Sequence, residues 1–335
     1  MLRALGWVCL VSIVVVAGAA LWGWNDYQTF LEEKRSVPET AQSFTVKSGW
    51  SAKRVANEFN QLGVIDKPHW FELYARQSKL APSIKSGEFE LPSQATVPEL
   101  LDILVAGKTV QYSQAIIEGH NWRQVRVQLA ESKELVQTMG DISDTDLMAK
   151  LGLSEPHPEG IFFADTYAFP KNTTDIEYLK RASELLQTVL QEEWEARDEG
   201  LPFESAYEAL VLASIVEKET AVAEERPLIA GVFVSRLRKG MRLQTDPTVI
   251  YGMGEAYDGN IRRKDLTTDT PYNTYTRGGL PPTPIAMVGR DAINAVMHPD
   301  STTKLYFVAR GDGTHQFSET IDQHNAAVRK YQLKR

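Results

Sequence analysis

One stretch constrains this chain more than any other: Leu5 to Trp24 reads LGWVCLVSIVVVAGAALWGW, twenty residues without a charge. In hydrocarbon a helix must satisfy its own backbone, and about 20 apolar residues rising about 1.5 Å each cover roughly 30 Å of bilayer. Arg3 precedes the run, while Trp22 and Trp24 stand where an interfacial aromatic belt belongs. The spacing predicts a single-pass membrane anchor at residues 5–24, with a cytoplasmic tip at 1–4 and everything after Asn25 outside. A cleaved leader is the rival reading, because Ala17-Gly18-Ala19 resembles a processing site. The run is longer than a usual leader core, which favours the retained anchor.

The remainder looks globular. A chain of 335 residues can bury one large or two moderate cores, and 43% hydrophobic with 24% charged residues argues against wholesale disorder. A net charge of -8 and the lack of a basic run argue against nucleic acid as a partner. The single cysteine, Cys9, lies inside the apolar run and reads as a helix-packing residue. The six histidines have no cysteine partner and no HExxH spacing, so no metal is expected.

Residues 25–42 are polar, interrupted by Pro38, and read as a stalk. From 43 to 155 a strand–turn–helix plan recurs. Ser43 to Val46 alternates like a strand, and Ser51 caps a helix carrying Val55, Ala56, Phe59 and Leu62. Tyr112 to Ile117 is again strand-like, Glu118 to Asn121 turns, and Trp122, Val125 and Leu129 suit a second buried stripe. Small βα modules of this kind, LysM-like ones included, bind glycan; a packing role without ligand is the alternative. Beyond Pro156, helices are predicted over 174–197 and 205–219, with a third framed by Pro227 and Gly240. Residues 241–284 are rich in Thr, Tyr, Asn, Gly and Pro and read as a functional loop region.

Chemistry concentrates at the end of the second of these helices. Ala209 to Val216 is apolar nearly all round, so its helix should be buried, and Glu217 is the next charge. A carboxyl emerging at the rim of an apolar wall is partly desolvated, which raises its pKa as a general acid requires. Glu217-Lys218-Glu219 could equally be the solvated exit of a core helix, and Glu219, at another angle, reads as structural.

The run Ala213-Ser-Ile-Val-Glu-Lys-Glu-Thr220, then Arg236-Leu237 and Met241-Arg-Leu-Gln-Thr-Asp-Pro-Thr-Val-Ile-Tyr-Gly252, resembles the endolytic murein transglycosylase family (YceG-like, MltG). Glu159-Gly160, Asp165-Thr-Tyr167, Tyr272-Asn-Thr-Tyr275, Gly279-Leu-Pro-Pro282, His298-Pro299, His315 and Phe317 extend the likeness. The resemblance implies an α+β fold: a transmembrane helix, a small βα LysM-like region at 43–155, and a larger catalytic domain at 156–335. It also implies an address, the bacterial inner membrane with the catalytic domain in the periplasm.

The implied reaction cuts the β-1,4 bond between N-acetylmuramic acid and N-acetylglucosamine within nascent peptidoglycan strands. Glu217 would protonate the departing oxygen and then accept the proton of the C6 hydroxyl, which closes on C1 to give a 1,6-anhydro end. One carboxyl then serves as acid and base, no second one is obligatory, and no cofactor is needed. Such cutting would limit glycan length, alongside the peptidoglycan synthases (penicillin-binding proteins).

Gln244, Thr245, Asp246, Tyr251, Asn273, Thr274 and Tyr275 are the candidate substrate-binding residues, offering amides, hydroxyls and ring faces to sugars. Asp246-Pro247 and the tyrosines could instead only shape loops and core. Two other functions stay open: a non-catalytic peptidoglycan-binding scaffold, and a hydrolytic muramidase in which Asp246 or Asp165 activates water.

Overall fold

A computed structural model describes residues 2–333. Met1 lies outside them, as do the side chains of residues 2–6, 8, 9 and 11, so the roles expected of the 1–4 tip and of Cys9 fall largely outside the described part. The fold is mixed α and β, rich in helix, and among the described residues the sheets are two-stranded. Two compact units divide it: residues 1–112 with 169–172, and residues 113–168 with 173–335.

In the first unit, α1 runs unbroken over Leu2–Glu32. Ile13 to Val16, Leu21, Trp22 and Trp24 on it are exposed. Among the described residues, no helix is long and apolar enough to cross a membrane. Residues 25–42 are not the expected stalk. Tyr27 and Phe30, one helical turn apart, are buried, and so are Val37 and Ala41 after them. These residues build β1 (Arg35–Ser36), which pairs with β4 (Gln94–Ala95), and α2 (Glu39–Gln42). The polar residues between the apolar anchors hid them from composition-based reading.

The unit continues with β2 (Ser43–Val46), α3 (Ala52–Gln61), α4 (Pro68–Gln77), β3 (Gly87–Glu90) and α5 (Val97–Ala106). β2 and β3 are antiparallel, Ser43 facing Glu90 and Val46 facing Gly87, with α3 and α4 packed together between them in sequence. Ser51 caps α3 by accepting from the Arg54 N–H, as the sequence predicts. Buried Glu88 accepts from Lys171 Nζ (2.8 Å), Ser43 Oγ (2.5 Å) and Tyr112 Oη (2.5 Å), and these donors hold its carboxyl down at about 2. Through Lys171 the cluster ties residues 169–172 to this unit.

The second unit contains β5 (Gln111–Ala115, from Ser113 onward), α6 (Trp122–Ala130), α7 (Asp144–Leu151) and β6 (Thr166–Pro170, as far as Ala168). Next come α8 (Asp175–Ala196), α9 (Ala206–Glu219), α10 (Arg226–Arg238), α11 (Asp246–Met253), α12 (Arg263–Thr267) and α13 (Arg290–Met297). The hairpin of β7 (Tyr306–Ala309) with β8 (His315–Ser318) and α14 (Ile321–Tyr331) close the chain. The expected boundary near 155 is therefore displaced to 112. The turn after β5 is tied in by Gly119 N–H to Met287 O (2.9 Å) and Met287 N–H to His120 O (2.7 Å), and α7 packs on α8. The second strand–turn–helix thus serves a different core from the first.

α9 is the axle of this unit. Every residue from Ala209 to Val216 is buried, against α8, α10, α11 and α13. Ser205 caps its start, accepting from the Glu208 N–H. Residues 241–284, read as loop, also hold α11 and α12.

Candidate active site

Three glutamates of the second unit have their charged forms disfavoured by burial: Glu159, Glu217 and Glu219. Each solves the problem of a buried carboxyl differently.

Glu217 sits in the last turn of α9. Its Oε2 accepts from the Gly289 N–H (3.1 Å), and its Oε1 meets Arg226 Nη2 at 3.3 Å. Arg226 also reaches Asp291 Oδ2 at 3.3 Å. The Glu217 side chain is only 4% exposed, so the carboxyl is set back from the rim where the helix pattern puts it. Burial raises its pKa above the ordinary 4.5, against the pull of the Gly289 N–H and Arg226, while the Glu118 and Asp291 carboxylates push it further up. One donor N–H and one partly shared guanidinium are a thin set of partners for a buried acid.

Beside it opens a cavity of about 760 Å³, within the range of small-molecule sites. Its wall includes Gly119, Trp122, Arg126, Glu159, Lys218 and Tyr251, so Glu217's neighbour in sequence borders the space. Lys218 Nζ donates to Gly119 O (3.0 Å), joining the end of α9 to the turn before α6. Glu159 is held at the start of α6. Both its oxygens accept from the Trp122 N–H (2.9 and 3.1 Å), and Oε2 accepts from Tyr251 Oη (3.0 Å). Burial pushes it up to about 7 despite these donors.

The sequence matches the YceG-like family over residues 44–330. The chain belongs to that family. It is 30% identical to the endolytic murein transglycosylase of Bacillus subtilis strain 168, covering 95% of this chain and 91% of that one. The protein of the same name from Streptococcus pneumoniae serotype 2 strain D39 is 24% identical, over 95% of this chain and 64% of that one. A crystal structure of a YceG-like protein of Listeria monocytogenes superposes with a TM-score of 0.52 at 28% identity, covering 88% of this chain and 99% of that one.

In this YceG-like chain the candidate binding residues fall into two groups. Tyr251 lines the cavity with Pro247 and Ile250 of α11, and its ring packs edge-on against Tyr272 at 4.7 Å. The others gather around Glu219. Thr245 Oγ1 donates to the buried Glu219 carboxyl, which burial holds at about 7. Thr274 Oγ1 accepts from the Thr245 N–H (3.1 Å) and bonds Thr248 Oγ1 (2.9 Å). Asn273 donates to Asp265 O and Thr268 O and accepts from the Tyr275 N–H, and Tyr275 Oη donates to Asp246 Oδ1 (2.6 Å). Gln244 takes a left-handed φ of +48° where its N–H reaches Thr274 O.

Thr245, Asn273 and Thr274 are buried, and these bonds spend their polar groups on the loop itself. Gln244 and Asp246, by contrast, are exposed. Sequence reasoning gave no role to Glu118, Arg226 or Gly289. The sequence shows only that Arg226 precedes Pro227 at a helix start; its burial appears in the fold alone.

Proposed function

We propose that this chain is an endolytic lytic transglycosylase of peptidoglycan, with Glu217 as the acid and then the base. The observation that carries the reading is a carboxyl just past the buried Ala209–Val216 run of α9, its charged form disfavoured by burial, next to residues that wall a cavity of about 760 Å³. The YceG-like match and the names of its relatives support the substrate class. A glycosidic oxygen leaves only when protonated, so an acid that keeps its proton near neutral pH is the chemical requirement. The deprotonated Glu217 then takes the proton from the C6 hydroxyl of N-acetylmuramic acid as that oxygen bonds C1. The bond to N-acetylglucosamine breaks, and a 1,6-anhydro end results with no water consumed.

The charge-free run at 5–24 is proposed as the anchor in the bacterial inner membrane, with the rest periplasmic beside nascent strands and their synthases. The antiparallel β2–β3 pair with α3 and α4 is proposed as the LysM-like glycan holder.

A second reading has its own observation: Glu159, not Glu217, borders the cavity. Its oxygens are already taken by the Trp122 N–H and the Tyr251 hydroxyl, which argues for a fixed, structural carboxyl. The test uses the full chain in detergent with purified peptidoglycan. Expected products carry 1,6-anhydro ends and are one water lighter than hydrolysis products. Glu217→Gln should lower turnover at least about 100-fold. Reducing ends would indicate a muramidase, and no products from folded protein a scaffold. Full turnover in Glu217→Gln would move the acid elsewhere.

A further inference from the structure

Gly289 precedes α13 with φ -89° and ψ 171°, an extended conformation open to any residue. Conformation therefore does not explain a glycine here. A Cβ at this position would meet the Glu118 carboxylate, the movable end of an exposed side chain, which would have to shift. The same glycine donates its N–H to Glu217 Oε2. Two carboxylates from distant segments thus converge on one residue without a side chain.

The backbone just after Glu118 is tied down. Lys218 Nζ holds Gly119 O, the Gly119 N–H bonds Met287 O, and the Met287 N–H bonds His120 O. Glu118 itself is exposed. The charged groups facing Glu217 are Arg226 from α10, Asp291 from α13 and Glu118 from the turn. Lys218 follows on its own helix and is engaged by Gly119 O. Arg226 divides its charge between Glu217 and Asp291, and among the described residues no cation pairs with Glu118.

We infer that Glu118 is a positioning residue for the reaction: lodged against Gly289, its negative charge holds the proton on Glu217 until the glycosidic oxygen takes it. The inference rests on the reading of Glu217 given above. A like charge beside an acid disfavours its ionised form, and the same effect strengthens the carboxylate as a base for the C6 hydroxyl in the second half-reaction. Burial alone raises the Glu217 pKa first, and Glu118 adds to it. One charge near the surface thereby serves both halves of the cycle without touching the sugar.

The experiment is the pH dependence of kcat/KM for release of 1,6-anhydro products by the full chain in detergent. Glu118→Gln keeps the shape and removes the charge. Its limb of falling activity with rising pH should move to lower pH by roughly half to one pH unit, the effect of one charge at close range under near-aqueous screening. Glu118→Asp, which keeps the charge, should leave the limb near its original place. Gly289→Ala should move it the same way as Glu118→Gln, because the new methyl drives the carboxylate off. A limb unmoved in folded Glu118→Gln overturns the inference. Turnover retained in Glu217→Gln, measured in parallel, would instead overturn the underlying assignment.

Discussion

Glu159 offers a perturbation whose sign separates a structural carboxyl from a catalytic one. It is buried, both oxygens are bonded, and burial raises its pKa from 4.5 to about 7. In the unfolded chain the group titrates near its ordinary value. Between about pH 4.5 and pH 7 the folded state therefore binds more protons, and stability falls as pH rises through this window. At 1.36 kcal/mol per pH unit, the full effect is about 3 kcal/mol, and local relaxation reduces it to about 1–3 kcal/mol.

Glu159→Gln removes this titration. Its amide oxygen still accepts from the Trp122 N–H at 2.9 Å, and its NH₂ can donate to Tyr251 Oη once that hydroxyl rotates. Thermal unfolding of the full chain in detergent at pH 5 and pH 8 reads the result. The variant should match wild type at pH 5 and exceed it at pH 8 by about 1–3 kcal/mol, and it should retain most of its turnover. Glu219, which titrates over a similar range, is present in both proteins and cancels in the comparison. Equal destabilisation at both pH values would refute the linkage argument. A collapse of turnover with stability intact would make Glu159 the acid.

Two further substitutions test how the second unit is built. Gly231→Ala in α10 gains up to about 1 kcal/mol of helix propensity, but its Cβ would meet the backbone carbonyl of Asp300, which the Asp300 N–H to Pro227 O bond pins in place. Overpacking against backbone costs about 1–3 kcal/mol, so a melting temperature lowered by a few degrees is expected, and an increase would sink the packing argument. Thr245→Val leaves the buried Glu219 carboxyl without its hydroxyl donor, at a cost of about 1–3 kcal/mol. Because that bond favours the ionised form, the loss should be larger at pH 8 than at pH 5, and a pH-independent loss would argue against it.

How much of this was legible follows from what each residue depends on. The ends of α8, α9 and α10 were readable because local chemistry sets them: Thr174 and Ser205 cap, and Pro227 opens. Burial of α9 followed from an apolar run with no polar face. Tyr27 and Phe30 were missed because two aromatic residues among charges carry little weight in a composition window, although one helical turn separates them. α11 was hidden in a Thr- and Gly-rich stretch, where Asp246-Pro247 marks a helix start as readily as a turn. Glu217 was legible as the first charge after a buried wall. Its recess was not, since that depth depends on Gly289, Arg226 and Glu118, each supplied by another segment. The sequence shows that Thr245, Asn273 and Thr274 are polar, but not that each is buried and hydrogen-bonded within the loops, because those partners come from other segments.

The unbroken course of α1 has a mechanical consequence. Tyr27 and Phe30 seat this helix in the first unit with no flexible joint after Trp24. Each residue added between Trp24 and Tyr27 would turn that unit by about 100° and raise it by about 1.5 Å relative to the preceding turns. Whatever grips the helix upstream therefore dictates the heading and the height of the first unit as a shaft does, in a way no slack cord could.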